Sequence, residues 1–227
     1  MCIRDREILG WHYRYEPLTV IPAKFTATEL AANRREKLGG ENYGLYVGKP
    51  SFLTENETEK LSGKRRGDAY HKLMEHIPFD KTMTAEEIQA YIESAAADFL
   101  SVAEKKSIDP ADIAKFFESD TAKRIITAAE KGNVYHEYPI FHKLDVGQYD
   151  PAIFGAESRE ALNGAEPYVQ GIADMFFIED GEIVLIDYKS DRTDDEQTYI
   201  DDYKLQLDIY RQALEQEFSM PVKQMLI

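Results

Sequence analysis

The 227-residue chain has one cysteine, Cys2, and one tryptophan. A lone thiol excludes a disulfide framework. It also excludes a Cys-built metal or iron–sulfur site, which takes about four thiolates. No apolar run nears the roughly 20 residues a membrane helix needs. Residues 1–18, MCIRDREILGWHYRYEPL, mix charges with aromatics and hold no apolar stretch of the secretory-signal kind. These absences point to a reducing, cytoplasmic setting with no membrane partner. Basic residues are scarce too: 27 Lys and Arg stand against 42 Asp and Glu, a net charge of −15. That balance argues against broad, non-specific binding of nucleic acid. It leaves room for a local basic groove, with NRREK (33–37) and KRR (64–66) as candidates. The acidic run DRTDDEQTYIDD (191–202) reads as solvated surface.

What is present suffices for a packed core: 43% hydrophobic residues, with 14 Tyr and 11 Phe. The opening MCIRDR follows no helix or strand pattern and reads as an appended stub. Thr26 and Glu29 have capping-box spacing, so a helix is predicted from there to about Lys37, before Gly39-Gly40. Residues 40–60 read as loop. A second helix is predicted over Leu61–His76. A third opens at Thr84…Glu87, with Ile88, Ile92 and Phe99 as its apolar face. Asp109-Pro110 opens a short helix, and SDTAKRIITAAEKG (119–132) is another, closed by Gly132. Strand character follows in VYHEYPIFHKL (134–144), then an irregular excursion over 145–167. A hairpin comes next, then a helix over Gln197–Phe218, and VKQMLI begins a strand at which the sequence stops. The expected architecture is α/β, a mixed central sheet flanked by helices. The expected organisation is a lead-in over residues 1–60 carrying one helix, then a main domain over 61–227. A last strand that stops short suggests a piece of something longer.

The hairpin, YVQGIADMFFIEDGEIVLIDYKSDR (168–192), holds three ionisable groups in strands otherwise fit for burial. Asp180-Gly181 is a strong two-residue hairpin signal. A turn centred on it sets Asp174 directly opposite Asp187, with Cβ atoms ~5 Å apart. Like charges so placed repel unless a cation lies between them. Alternation along a strand puts Asp187 and Lys189 on one face and Tyr188 on the other. By spacing alone two readings stand level. One is a divalent ion held between two carboxylates beside an ammonium. The other is a salt-bridged strand in which Lys189 pairs with one carboxylate.

GIAD (171–174), followed after the hairpin by IDYK (186–189), resembles the motif of the PD-(D/E)xK nucleases, and the surrounding residues resemble the RecB-type group. Two more stretches follow that group's order: RGDAYHKLMEHI (66–77), with Gly67 and His71 one helical turn apart, and YKLQLDIY (203–210), with Gln206 and Tyr210. The lead-in WHYRYEPLTVIPAKFTATEL (11–30) is similar to the approach to the nuclease domain in AddA-type helicase–nuclease subunits. The resemblance covers about Trp11 to Ile227. Any one motif is weak, and their order together is specific.

The resemblance implies a restriction-endonuclease-like fold and a Mg²⁺-dependent deoxyribonuclease, an exonuclease, in which Mn²⁺ can substitute. It implies single-stranded DNA fed by a motor in the same parent chain, an AddB-like partner subunit, and a role in double-strand-break repair and recombination. It makes Asp174, Asp187 and Lys189 the catalytic residues. The metal ligands it implies are His71, Asp174, Asp187 and the main-chain carbonyl of Tyr188. Lys189 would orient the attacking water or stabilise charge developing on the phosphate. Gln206 and Tyr210, four apart on one helix face, would touch DNA or brace Lys189. Glu137 in HEYPIF (136–141) matches an acidic position that supports the ligands. His76, His136 and His142 match no ligand position. GLYVGKP (44–50) is not a phosphate-binding loop: its spacing is one short, and Pro50 stands where Ser or Thr is needed. The four-Cys cluster some members of the group carry cannot form here. Two alternatives stand beside this reading: a self-standing RecB-type nuclease, and a catalytically idle DNA-binding or scaffold module.

Overall fold

The computed structural model describes residues 21–37, 63–189 and 196–227. The expected stub at 1–6, the loop at 40–60, the GLYVGKP stretch and residues 191–195 of the acidic run lie outside the described residues. The chain divides into two units, residues 1–45 with 141–171, and residues 46–140 with 172–227. Among the described residues no helix is long and apolar enough to cross a membrane.

In the first unit a short strand, β1 (Lys24–Thr26), runs into helix α1 (Ala27–Lys37). The expected capping box forms there. Glu29 N–H donates to Thr26 Oγ1 at 3.0 Å, and Thr26 N–H donates back to Glu29 Oε2 at 3.3 Å. Strand β1 lies parallel to Tyr168–Gln170. The predicted irregular excursion is made of short 3₁₀ turns at Val146–Gln148, Pro151–Phe154 and Glu160–Leu162. Helix α1 packs on the second of these, with the Phe25 and Phe154 rings edge to face at 5.6 Å.

The second unit opens with helix α2 (Gly63–His76), and the predicted start at Leu61 falls outside the described residues. Helix α3 (Ala85–Glu93) has the Thr84/Glu87 capping box, but it stops six residues before Phe99. Ser94 leaves helical geometry with ψ 167°, and its hydroxyl caps a new 3₁₀ turn at Ala95–Ala97. Phe99 still reaches the core, from beyond the helix. A helix missed in the sequence, α4 (Val102–Ser107), begins at a third capping box, Ser101 with Glu104. Helices α5 (Pro110–Glu118) and α6 (Asp120–Ala129) start at Asp109 and Ser119 caps, where Pro110 at the first helical position needs no N–H partner.

Strands β2 (Val134–Lys143), β3 (Tyr168–Glu179), β4 (Glu182–Ile186) and β5 (Val222–Leu226) follow, with helix α7 (Glu196–Phe218) between the last two. Strand β3 pairs with β2 and runs antiparallel to β4, and β4 runs parallel to β5, so the sheet is mixed. The two faces of the hairpin differ as alternation demands. Met175, Phe177, Val184 and Ile186 pack in one cluster with the apolar faces of α2, α3, α5 and α6. Phe176 points the other way, stacked on Tyr135 at 4.6 Å and edge-on to Phe218 of α7 at 5.2 Å.

Candidate active site

The hairpin has the predicted register: Met175 faces Ile186, Phe176 faces Leu185 and Glu179 faces Glu182. The turn residues Asp180 and Gly181 have φ of 56° and 80°, as a two-residue turn matched to strand twist requires. The next pair outward is Asp174 and Asp187. Here one expectation changes. Regular strand β4 ends at Ile186, so Asp187 and Lys189 lie just past the ladder rather than in it. Asp187 N–H still pairs with Leu226 O at 3.0 Å. Tyr188 N–H donates instead to Asp174 Oδ2 at 2.8 Å. A side chain has captured the donor that would have continued the sheet.

Around this ladder end the fold gathers most of the candidate residues. Helix α2 brings His71, whose Nδ1 lies 3.5 Å from Asp174 Oδ2. The His71 ring also meets the Tyr188 ring edge-on at 6.1 Å. Lys189 Nζ lies 2.5 Å from Asp187 Oδ2, the two side chains being 15% and 2% exposed. Helix α7 supplies Gln206, whose Nε2 donates to Asp187 Oδ1 at 3.5 Å and to the Tyr210 hydroxyl at 3.3 Å. Among the described residues, Asp187 and Gln206 are the only buried residues of polar or charged type. Burying such groups is costly, and these two lie together.

The electrostatics follow from that burial. Desolvation pushes the Asp187 carboxyl above the ordinary carboxylate range; Lys189 opposes the shift and Asp174 adds to it. Burial first, then the Asp187 charge, push the Tyr210 phenol up to about 12. Burial and Asp174 likewise raise the Tyr188 phenol, whose hydroxyl points to Met175 Sδ at 3.1 Å. Glu137 makes no hydrogen bond or ion pair with the other described groups. Its carboxyl is raised by burial, then by the charges of Asp174 and Glu75. Its φ of 44°, unusual for a non-glycine residue, marks a distortion in β2.

Of the other described histidines none makes a hydrogen bond or ion pair with these groups, though the charge of His76 opposes the raised Glu137 carboxyl. His76 stacks on Phe99 at 4.1 Å, and His136 stacks on Phe79 at 5.9 Å. His142 is partly buried, which lowers its pKa. Sequence reasoning missed Tyr203, whose ring lies 4.9 Å from Lys189 Nζ in cation–π contact. The available signal was helical spacing, since Tyr203, Gln206 and Tyr210 are three and then four residues apart.

Among the described residues no three His, Asp or Glu side chains stand in ready-made ligand geometry. The carboxylates are turned to protein partners, Asp174 to Tyr188 N–H and Asp187 to Lys189. The residue types nonetheless fit a hard divalent ion, with two carboxylates opposed and an imidazole beside one of them. Asp187 Oδ2 is buried, and its partner among the described residues is the Lys189 ammonium at 2.5 Å.

The chain belongs to the PD-(D/E)XK nuclease superfamily, whose family model matches residues 42–226. Its mixed sheet flanked by helices is thus a restriction-endonuclease-like fold. It is similar to an ATP-dependent helicase/nuclease of Clostridium kluyveri, 32% identical over 222 residues, 95% of this chain and 17% of that protein. The corresponding ATP-dependent helicase/nucleases of Clostridium perfringens and Clostridioides difficile are each 30% identical, over 98% and 97% of this chain and 18% of their own length. The chain therefore spans under a fifth of the length of these relatives.

Proposed function

We propose that this chain is the metal-dependent nuclease part of an AddA-like helicase–nuclease, cutting phosphodiesters of single-stranded DNA from an end. Residues 61–227 would form the nuclease domain and residues 1–60 its lead-in. Mg²⁺ is the proposed ion, with Mn²⁺ able to substitute. Asp174, Asp187, His71 and the main-chain carbonyl of Tyr188 would hold it. When bound, such an ion supplies Lewis-acid chemistry, making water a better nucleophile and neutralising phosphate charge. The protein's own residues do the positioning. Lys189 directs its ammonium at the attacking water and at charge developing on the phosphate. Gln206 keeps Asp187 oriented, Tyr210 keeps Gln206 oriented, and Glu137 adds negative potential near Asp174. The motor would come from the rest of the parent chain, and an AddB-like partner would complete the machine. Its setting would be cytoplasmic repair and recombination at double-strand breaks.

The observation that most supports this reading is Asp187, a carboxylate whose side chain is 2% exposed, set near Asp174 and held by Lys189 and Gln206. A purely structural salt bridge has no need of the second carboxylate, Asp174, itself only 14% exposed. The test is cleavage of an end-labelled single strand with Mg²⁺, Mn²⁺ or chelator, beside metal titration by calorimetry. Ion-dependent cleavage and binding are expected. Failure to bind or cleave with either ion would overturn the reading.

A further inference from the structure

A cavity of about 880 Å³ lies in the second unit, bounded by α2, α5 and the ends of β4 and β5. His71 and Lys189 belong both to its lining and to the candidate active site. The cavity therefore opens where the proposed chemistry takes place. A second cavity, about 400 Å³ in the first unit, includes none of the candidate residues.

Beyond His71 and Lys189 the wall of the larger cavity includes Tyr70, Ile113, Phe116 and Tyr188. Alternation explains how Tyr188 comes to be there: Asp187 faces Gln206 of α7, so the next side chain faces the helices on the other side. Its ring meets Phe116 edge to face at 6.4 Å. The polar groups of the wall largely satisfy one another. The Tyr70 hydroxyl accepts from Asp109 N–H at 2.8 Å and from Arg66 Nη2 at 3.2 Å, and lies 3.3 Å from Asp112 Oδ2. Arg66 also pairs with Asp112 at 3.6 Å. An occupant thus meets mainly ring faces and aliphatic carbons.

The wall's donors include Arg66, paired with Asp112, and His71 and Lys189, which it shares with the candidate active site. A phosphate therefore belongs beside those two, and the apolar remainder is left for another group. That remainder suits a flat, weakly polar ring. The volume falls in the roughly 300–1,000 Å³ range of small-ligand sites. We propose that the cavity receives the base of the nucleotide adjoining the cleaved phosphodiester. It holds the base by stacking on one of the perpendicular rings of Phe116 and Tyr188 and by edge contact with the other, without reading its identity. This rests on the nuclease reading above and adds a substrate subsite to it. A base held in a duplex cannot enter, so the cavity selects unpaired strand by shape.

The test uses this chain and labelled single strands carrying one abasic residue, with products resolved bond by bond. One bond flanking the abasic residue is expected to be cut about fivefold to 150-fold more slowly than in the intact strand, the span typical of base–aromatic stacking. Phe116→Leu removes a ring from the wall, and Thr121→Trp fills the cavity while keeping the rings of Phe116 and Tyr188. Each is expected to slow the intact strand towards the abasic rate while leaving the abasic strand unchanged. No slowing at any bond, or the same slowing in wild type and both variants, would overturn the proposal. The second readout needs no cleavage: with Ca²⁺, a strand carrying 2-aminopurine is expected to lose fluorescence on binding wild type but not Thr121→Trp. If no strand is cut at all, the nuclease reading fails and the fluorescence alone decides the cavity. Equal fluorescence in the two proteins would show that something other than a base fills it.

Discussion

Lys189→Ala separates a catalytic site from a structural ion pair. In the wild type its ammonium lies 2.5 Å from a carboxylate oxygen of Asp187, whose side chain is 2% exposed. Removing one partner of a buried pair typically costs about 3–5 kcal/mol, because the other charge stays behind uncompensated. Lys189 keeps 15% exposure, so water screens part of the attraction. Roughly 2–4 kcal/mol is therefore expected at pH 7, including the contact with Tyr203, worth about 0.5–1 kcal/mol. Asp187 has an escape route through protonation. Its carboxyl is already raised by burial, and losing Lys189 raises it further. A raised carboxyl favours the fold when protonated, a contribution present at low pH and lost as pH rises through the folded-state pKa. The deficit of Lys189→Ala should thus be largest near neutrality and shrink as pH falls towards the carboxylate range. Adding Asp187→Asn should recover most of it, since an amide needs no counter-ion. Urea unfolding followed by circular dichroism, at pH 7 and pH 5 with chelator, measures all of this. The same variant should lose about 10²–10³-fold in cleavage rate while keeping metal affinity. Wild-type cleavage by Lys189→Ala, or a deficit that neither lower pH nor Asp187→Asn reduces, would refute the reasoning.

Divalent ions should stabilise the fold by mass action: at 100 times Kd, about 2.7 kcal/mol, or roughly 5–10 °C in melting temperature for a chain of this size. Ca²⁺ should stabilise too while supporting little cleavage, and equal melting temperatures with and without millimolar Mg²⁺, Mn²⁺ and Ca²⁺ would remove the site. His71 is 30% exposed, so His71→Ala should fold normally. It should still weaken metal affinity by about tenfold or more, a loss seen even when a residue only orients ligands; unchanged calorimetric affinity would return it to the surface. Tyr210, pushed up to about 12 from an ordinary value of 10, favours the fold while its phenol is neutral. That contribution, up to about 2–3 kcal/mol, should be intact below pH 10 and vanish as pH rises through 12 in chelator. Tyr210→Phe should flatten this alkaline loss, and an unchanged alkaline slope would contradict the assigned burial.

Local rules in the sequence determined a good deal of this protein. Thr26/Glu29, Thr84/Glu87 and the Asp109-Pro110 start each cap a helix where spacing placed it, because capping bonds span three residues or fewer. The hairpin register was legible for the same reason: a two-residue turn and a period of two leave one pairing that buries Met175, Phe176 and Leu185. The order of short motifs carried the family. Tertiary structure decided what depends on contacts between distant segments. Strand β4 stops at Ile186 because Asp174, fourteen residues back, takes the Tyr188 N–H. Phe99 joins the core from outside its expected helix, and Tyr203 meets Lys189 only through the packing of α7. The charge state of Asp187 was equally out of reach of the sequence. Its carboxyl is raised by burial, which is set by everything packed around a residue rather than by its neighbours in the chain.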